Sequence, residues 1–415
     1  MYIERELEDK IKRFLKTLEI VAIIGPRQAG KTTLLKKIFA ELSDAAYLSF
    51  EDQEALALFN KSIKDFYLLY AKDKKYLFID EFQYAKQGGK NLKFLFDTYK
   101  IKIIISGSSA LDLTKQAIKY LVGRIFILQL YPFNFSEFLF AKDRPLHSRI
   151  FLPVRDKIKQ NIFGKTIKSA KVSPVVMEKL LKYYKEYAVF GGYPRAVLAK
   201  TSEEKIEVLK NIFNIYFLRE IRDVLKLETD HELNQLIKLL SLQIGGTVSY
   251  NELGNAINLD YKNLLKHLRI LEKTFIIHQA LPYYRNKRTE ITKTPKVYFY
   301  DPGFRNSIIN NFQKYDDRTD QGMINENFVA SAFINQGLDP KYWRTKSSAE
   351  IDFVIEKDGG LYAFEVKTSL AGRGGSRSFY SFREKYSPDR IVALSTNYYS
   401  EKPQNNILSV PLYFL

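Results

Sequence analysis

The sequence predicts an α/β protein whose first domain is a doubly wound parallel sheet around a phosphate-binding loop. Two observations lead to this prediction. Residues Gly25–Thr32 read G-P-R-Q-A-G-K-T, which fits the pattern G-x-x-x-x-G-K-[ST]. The apolar run Ile20–Ile24 comes directly before this loop, and residues with helical spacing follow it at Thr33–Phe39. A buried strand, a glycine-rich turn and a helix are the context that the pattern requires.

The residue types of this loop suit phosphate binding. Gly25 and Gly30 permit backbone conformations that a Cβ would forbid, so the amides between them can point at phosphate oxygens. Lys31 is expected to reach the terminal phosphates of ATP, and the hydroxyl of Thr32 is expected to contact Mg²⁺. The residues expected to contact the nucleotide are Gly25, Pro26, Arg27, Gln28, Ala29, Gly30, Lys31, Thr32 and Thr33.

Three further strand-like runs alternate with helical stretches, which predicts a parallel sheet covered by helices on both faces. They are Ala46–Phe50, Tyr76–Glu81 and Ile101–Ser106. The second run ends in two carboxylates. Asp80 is expected to bind the nucleotide's Mg²⁺, and Glu81 to orient and deprotonate the attacking water. The alternative is a pair of acids that only caps a strand.

Two more positions are candidates for the same site. The third run ends in Ser-Gly-Ser-Ser, and its strand is expected between the two motif strands, so Ser106 or Ser108 could contact the γ-phosphate. A plain strand-to-loop turn is the alternative. Arg124 is a candidate arginine finger that completes the site of a neighbouring subunit, which implies a homo-oligomer. A surface salt bridge is the other interpretation of Arg124.

Composition sets broad limits. The chain has 415 residues, 46% of them hydrophobic, and no cysteine, which excludes disulfides, zinc knuckles and thiol catalysis and fits a cytoplasmic protein. No apolar run approaches the ~20 residues that span a bilayer, and the charged N-terminus does not resemble a signal peptide, so no membrane association is expected. The net charge of +18 favours an anionic partner such as DNA, with a generally basic proteome or a solvated helical face as the alternative. The densest basic stretch, 146–185, holds ten lysines and arginines against Asp156 and Glu178.

Several segments together resemble the prokaryotic AAA-type (AAA+) ATPases that carry C-terminal regions of unknown function. The segments are Gly25–Thr32, Tyr76–Glu81, Leu121–Phe126, Leu128–Phe138, Phe190–Val197 and Tyr342–Val354. The resemblance extends over nearly the whole chain. It implies an AAA-type nucleotide hydrolase with ATP and Mg²⁺ as cofactors, and it leaves the biological role open.

Four domains are predicted. They are an ATPase domain at 1–145, a basic helical linker or lid at 146–233, a winged helix-turn-helix at 234–286 and an α/β domain at 287–415. Within the linker, Gly191, Gly192 and Pro194 predict a tight turn between helices. Three arginines of this region are expected either to face the nucleotide or a neighbouring subunit, or to form structural ion pairs. They are Arg195, Arg219 and Arg222.

The winged helix is predicted from the order helix, short helix, helix and hairpin. The hairpin is expected to pair Phe275–His278 with Ala280–Tyr284. The third helix is expected to present four side chains outward, where a DNA reader would approach the major groove. They are Asp260, Tyr261, Asn263 and Lys266. Because this helix has no arginine cluster, protein–protein contact or a lid role is an equally open interpretation.

The last domain is predicted to contain a β-hairpin that brings charged residues together. Strand Glu350–Glu356 is followed by a turn at Asp358–Gly360 and a returning strand, Leu361–Lys367. Alternation places Glu365 and Lys367 on one face of the returning strand, and Asp352 on its partner.

This arrangement resembles the PD-(D/E)xK nuclease superfamily, whose fold is that of restriction endonucleases. The carboxylates of Asp352, Glu365 and the helical Glu326 are expected to hold a second Mg²⁺ or Mn²⁺, and Lys367 to orient or deprotonate a water for phosphodiester cleavage. Two functional hypotheses follow. The first is an ATP-gated DNA-processing enzyme, and the second is a nucleotide switch or scaffold whose last domain binds nucleic acid or protein without cleaving.

Overall fold

The computed structural model describes residues 2–86, 88–107, 119–217, 231–291, 293–368, 377–400, 403 and 407–415. Ser108, Arg219 and Arg222 lie outside the described residues. Two compact units are present, one of Met1–Pro132 with Arg269–Ile276 and one of Phe133–Leu268 with Ile277–Leu415. Within the described part of the chain, every helix is too short or too polar to cross a membrane.

The first unit is built on a five-stranded parallel sheet. Its strands are β1 Ile20–Ile24, β2 Ala45–Ser49, β3 Tyr76–Asp80, β4 Lys102–Gly107 and β5 Ile125–Gln129. They lie in the order β2-β3-β4-β1-β5, so β4 separates the two motif strands as predicted. The α-helices of this unit are Glu6–Phe14, Lys31–Phe39, Gln53–Lys61, Ile63–Phe66 and Gly88–Tyr99, with a π-helix at Tyr67–Ala71 and a 3₁₀ turn at Phe82–Tyr84. The predicted fold class is confirmed.

The core of this sheet explains why the loop after β1 is well supported. All five residues of β1 are buried, as expected for a strand between two neighbours in a sheet covered by helices. Val21 and Ile23 pack against Leu34 and Ile38 of the helix that follows the loop, and against Ile11 of the first helix. The phosphate loop therefore connects two elements that a common apolar core holds together.

The second unit combines helices with a mixed five-stranded sheet. Its strands are β8 Lys341–Arg344, β9 Glu350–Lys357, β10 Gly360–Val366, β11 Arg390–Ser395 and β12 Ile407–Pro411, in the order β12-β11-β10-β9-β8. The pairs β8–β9 and β9–β10 are antiparallel, and the pairs β10–β11 and β11–β12 are parallel. The C-terminal domain thus has the α/β character that the sequence predicts.

The helices of the second unit come both before and within this sheet. The α-helices are Phe135–Lys142, Arg144–Leu146, Leu152–Phe163, Pro174–Phe190, Pro194–Leu198, Ser202–Asn211, His231–Leu242, Tyr250–Ile257, Tyr261–Lys273, Lys287–Ile291, Pro302–Ile308, Gln321–Asn335 and Arg377–Tyr386. Shorter elements are the π-helices His147–Phe151 and Ile212–Phe217 and the 3₁₀ turns Tyr315–Asp317 and Leu412–Phe414. The helix Tyr261–Lys273 contributes its last residues, from Arg269, to the first unit.

An aromatic core joins residues from three of the predicted domains, since Phe135 belongs to 1–145, Tyr184 to 146–233, and Phe328 and Tyr413 to 287–415. The ring of Phe135 contacts the rings of Tyr184, Phe328 and Tyr413, which come from distant parts of the chain. A capping box at Asn134 and Glu137 starts the helix that carries Phe135. The segment predicted as a separate linker therefore shares a core with the last domain.

The hairpin after the third helix differs from the prediction. The structure pairs β6 Ile277–Ala280 with β7 Lys296–Phe299 in antiparallel fashion, whereas the predicted partner was Ala280–Tyr284. Pro282 lacks the N–H that a ladder needs. Its neighbours instead bond to Tyr342, whose carbonyl accepts from the Tyr283 N–H at 2.5 Å. The order of the three helices is as predicted, the second strand of the hairpin is not, and the winged-helix assignment stays a prediction.

Candidate functional site

The phosphate loop has the backbone shape that its glycines predict. A Cβ at Gly25 would collide with the carbonyl oxygen of Leu130. Gly30 has φ 96°, in the left-handed region that a glycine adopts without cost. Thr32 is half-buried and Thr33 exposed at the start of the helix that follows. The chain can therefore make this tight turn only with small residues at both positions.

Lys31 lies inside this loop. Its side chain is buried, with 5% of the residue exposed, and its ammonium donates to the carbonyls of Gly25 at 2.9 Å and Pro26 at 2.8 Å. Both acceptors belong to the loop itself. An incoming phosphate would compete with these two carbonyls for the ammonium, and its negative charge makes it the stronger acceptor.

Asp80 ends β3 as a buried carboxylate with three donors around it. The residue is 2% exposed. The hydroxyl of Ser106, at the end of β4, and the backbone N–H of Glu81 donate to Oδ1, the second at 3.0 Å. The hydroxyl of Tyr47, on β2, donates to Oδ2 at 2.8 Å. Three neighbouring strands thus fix the orientation of one carboxylate, and Ser106 contacts it directly.

Glu81 has an unusual backbone conformation. Its φ of 52° and ψ of 42° lie in the left-handed region, which is rare for a residue with a side chain. Its carboxylate accepts a hydrogen bond from the side-chain amide of Gln83. Such strain is commonly found at functional sites, where the surrounding structure holds it in place. The carboxylate expected to act on water is therefore held by a specific neighbour.

Sequence reasoning missed three residues of this site, which are Arg5, Tyr47 and Gln83. Arg5 is 7% exposed and donates to the carbonyls of Ala29 at 2.7 Å and Tyr131 at 2.6 Å, so it ties the phosphate loop to the segment after β5. Burial and Asp80 raise the pKa of Tyr47 above its ordinary value, which keeps its hydroxyl protonated as a donor.

Arg124 makes a salt bridge within its own chain. Its guanidinium donates to both carboxylate oxygens of Asp97, at 2.9 and 3.3 Å. The Arg124 hydrogen bond lowers the pKa of Asp97. About a third of the Arg124 side chain is exposed. Its role as a finger in a neighbouring subunit stays a prediction, and that role would require the salt bridge to open.

The helix predicted to read DNA presents its four candidate side chains to solvent. Asp260, Tyr261, Asn263 and Lys266 are all exposed. Asp260 caps the start of this helix, however, because it accepts from the backbone N–H of Asn263 at 3.0 Å and from its side-chain amide at 2.6 Å. In the linker, Arg195 is also exposed. Two of the four outward side chains are thus engaged with each other.

In the C-terminal sheet, the predicted hairpin brings its charged residues together. Antiparallel pairing of β9 with β10 places Asp352 opposite Glu365, and the N–H of Val366 donates to the Asp352 carboxylate at 2.7 Å. Lys367 forms an ion pair with Glu365. These contacts agree with the register that alternation predicts.

A lysine that the sequence analysis did not single out lies among the nearby carboxylates. Lys296, on β7, has its ammonium 3.0 Å from Glu326 Oε1 and 2.5 Å from Glu350 Oε1. The hydroxyl of Tyr298 donates to the same Glu326 oxygen at 2.9 Å. Burial, together with the neighbouring Glu326, raises the pKa of Asp352 to about 7. We call Glu326, Glu350, Asp352, Glu365 and Lys296 the carboxylate–lysine cluster.

The arrangement of this cluster differs from that of a metal centre. Across the described residues, no three aspartate, glutamate, histidine or cysteine side chains come together in a way that could hold a metal ion. The oxygens of Glu326 and Glu365 instead contact cationic or hydroxyl groups of the same chain. As they lie here, these residues do not fit a resident divalent cation.

Three known families match parts of this chain. Residues 17–139 match the family described as an AAA domain. Residues 181–315 and 321–414 match two families described as domains of unknown function, DUF8612 and DUF4143. The chain thus carries an AAA-type ATPase domain followed by domains of unknown function, as the resemblance noted from the sequence implies.

Two relatives that match over most of their length are described as uncharacterised proteins. A protein of Haemophilus influenzae is 26% identical over 88% of this chain and 86% of its own length. A protein of Methanocaldococcus jannaschii is 26% identical over 98% of this chain and 86% of its own length. Among solved structures, the chain is similar to a Walker-type ATPase of Pyrococcus abyssi, with 14% identity, a TM-score of 0.47 and coverage of 74% of this chain and 96% of that one.

Proposed function

We propose that the AAA domain of this chain binds ATP together with Mg²⁺ and hydrolyses it, and that the bound nucleotide sets the conformation of the domains that follow. The observation that carries this proposal is the constellation around Asp80. The buried carboxylate of Asp80 and the strained Glu81 lie at the carboxyl end of β3, and the phosphate loop lies at the carboxyl end of β1, with β4 between these two strands. Ligands of α/β sheets bind at this edge.

Each residue has a role that its environment supports. The loop amides and Lys31 would hold the phosphates, and Thr32 and Asp80 would hold Mg²⁺, which neutralises phosphate charge when it is bound. Ser106 and Tyr47 would keep the Asp80 carboxylate oriented, as donors to its two oxygens. Glu81 would accept the proton of the attacking water. Arg124 is proposed to supply a positive charge to the site of a neighbouring subunit.

The Mg²⁺ dependence of ATP hydrolysis tests this proposal through Tyr47. In Tyr47→Phe the Asp80 carboxylate loses one of its three donors but keeps its charge. We expect the Mg²⁺ concentration for half-maximal phosphate release to rise about tenfold, because outer-shell partners of metal ligands typically contribute that much to metal affinity. Phosphate release by the purified protein at varied Mg²⁺ and saturating ATP is the measurement.

Tyr76→Phe is the matched control, since Tyr76 packs against the same core from the neighbouring strand β3. Its Mg²⁺ dependence should equal that of the wild type. If wild-type protein releases no phosphate from ATP in Mg²⁺, the proposed activity is wrong. If wild type is active and Tyr47→Phe has unchanged Mg²⁺ dependence, only the positioning role of Tyr47 is wrong.

We further propose that DNA is the anionic partner on which this ATPase acts. The basic stretch 146–185 supports DNA binding, because three of its lysines are exposed on the connection between the helices Leu152–Phe163 and Pro174–Phe190. They are Lys165, Lys168 and Lys171. Lysines at such spacing can follow the phosphates of a nucleic-acid backbone.

Replacing these three lysines together by alanine should weaken DNA binding and reduce its salt dependence. Each lysine that contacts a phosphate contributes about 0.9 to the slope of log K against log salt, so the slope should fall by about 2 to 3. The binding constant and its salt slope are measured by fluorescence anisotropy with a labelled duplex at several salt concentrations. A triple replacement of the exposed Lys61, Lys64 and Lys72 in the first unit is the control. An equal loss in both triple variants would mean that net charge alone drives binding.

The C-terminal domain is proposed to bind nucleic acid or protein and not to cleave DNA. Cleavage by this domain remains the second candidate, and the approach of Asp352, Glu365 and Lys367 favours it. The ion pairs within the carboxylate–lysine cluster favour binding only, because the oxygens that a catalytic cation would need already have partners.

A further inference from the structure

The sequence pattern of the C-terminal domain implies that a divalent cation lies among its carboxylates. In the structure, the ammonium group of a lysine, Lys296, lies among them instead. Lys296 is a buried member of the carboxylate–lysine cluster, with 4% of the residue exposed. Its ammonium contacts carboxylates from two elements, Glu326 of the helix Gln321–Asn335 and Glu350 of β9. It reaches them from β7, which belongs to the hairpin that follows the three helices.

We infer that Lys296 is a built-in counterion that takes the place of a divalent cation in this nuclease-like domain, so that the native domain neither binds Mg²⁺ or Mn²⁺ at these carboxylates nor cleaves DNA. This inference concerns the second unit only and does not depend on ATP hydrolysis by the first.

The contacts of Glu326 support this inference most directly. Its Oε1 accepts from both Lys296 and Tyr298. Its Oε2 faces Gly245, where a Cβ would come within 2.7 Å of that oxygen. Gly245 has φ 73°, so this backbone also favours a glycine. Both oxygens of Glu326 are therefore covered by parts of the chain that precede the nuclease-like sheet.

Cationic side chains of the chain itself lie at three of the four carboxylates of the cluster. Lys296 lies between Glu326 and Glu350, and Lys367 pairs with Glu365. Arg344 lies 3.6 Å from the second oxygen of Glu350. A divalent ion added to this group would have to displace a protonated lysine.

Lys296→Met tests the inference, because methionine keeps the apolar stem and removes the charge. The variant leaves Glu326 and Glu350 as partly buried carboxylates without their common partner, and we expect its Tm to fall by about 5 °C or more. Mn²⁺ is the probe, since carboxylate oxygens bind it well. Without nucleotide, Mn²⁺ should raise the Tm of Lys296→Met and leave that of the wild type unchanged, and Lys296→Met/Glu326→Gln should lose most of the increase.

Two further measurements do not depend on the stability of Lys296→Met. Wild type and Glu326→Gln, assayed for bound Mn²⁺ without nucleotide, should bind equally little, and wild type should release no more labelled product from DNA in Mn²⁺ than Asp352→Ala does. Mn²⁺ binding by wild type that Glu326→Gln abolishes, or cleavage that Asp352→Ala abolishes, would overturn the inference. So would a Mn²⁺ response of Lys296→Met no larger than that of the wild type.

Discussion

Lys31→Ala is expected to abolish ATP binding, with a loss of at least about 100-fold in affinity and no measurable hydrolysis. The ammonium is the buried cation of the phosphate loop, and hydrogen bonds to charged groups are each worth about 1.5–3 kcal/mol. Two such bonds to phosphate oxygens correspond to a factor of 100 or more. Equilibrium binding of a fluorescent ATP analogue and phosphate release measure the two effects.

Lys31→Ala also affects the loop when no nucleotide is bound. The ammonium donates to Gly25 and Pro26, so its removal also takes two hydrogen bonds away from the loop itself. Lys37→Ala is the control, because it removes a lysine from the same helix at a partly exposed ion pair with Glu41. Wild-type ATP affinity in Lys31→Ala would mean that nucleotide does not bind at this loop.

Mixing Lys31→Ala subunits with Arg124→Ala subunits extends the experiment to Arg124. If Arg124 acts across a subunit interface, mixed assemblies contain sites with an intact loop and an intact neighbouring arginine, and hydrolysis returns in part. If Arg124 serves only its bridge to Asp97, mixing restores nothing beyond the activity of each variant alone. Arg124→Ala alone should bind ATP normally in either case.

The sequence contained most of what defines the ATP site. Gly25–Thr32 and Asp80–Glu81 were predictable because the chemistry of phosphate and Mg²⁺ constrains residue types at fixed positions along the chain. The place of Ser106 followed from strand order, which is set by the handedness of the connections. Tyr47 was not predictable, because its contact with Asp80 depends on the register of β2 against β3 and leaves no mark in local spacing.

In the C-terminal site, too, the residues in a local pattern were predictable and a distant contact was not. The hairpin and the pairing of Asp352 with Glu365 were predictable from alternation and a glycine turn. The position of Lys296 was not predictable, since this residue lies more than 50 residues before its partner Glu350 on β9. It also lies on the second strand of a hairpin, and the sequence analysis assigned that strand to a different run. An error in one strand partner therefore hid the residue that decides the charge of the site.

Glu81→Gln is expected to bind ATP within about twofold of the wild type and to hydrolyse it about 10²- to 10⁴-fold more slowly, as for the loss of a general base. Glutamine matches glutamate in size and can accept the same hydrogen bond from Gln83. It also bears the same left-handed backbone cost at this position, so stability should change little. Single-turnover hydrolysis, with binding measured in parallel, separates the two effects.

Glu54→Gln, at an exposed position of the first turn of the helix Gln53–Lys61, controls for the loss of one negative charge. The comparison also decides why the chain keeps a strained residue after β3. If Glu81→Gln still hydrolyses ATP at the wild-type rate, Glu81 does not act on the water, and its φ of 52° would then only direct the chain into the turn Phe82–Tyr84. If hydrolysis stops while ATP stays bound, the strain has a catalytic reason, because it places a carboxylate beside Asp80 without displacing the donors that hold Asp80.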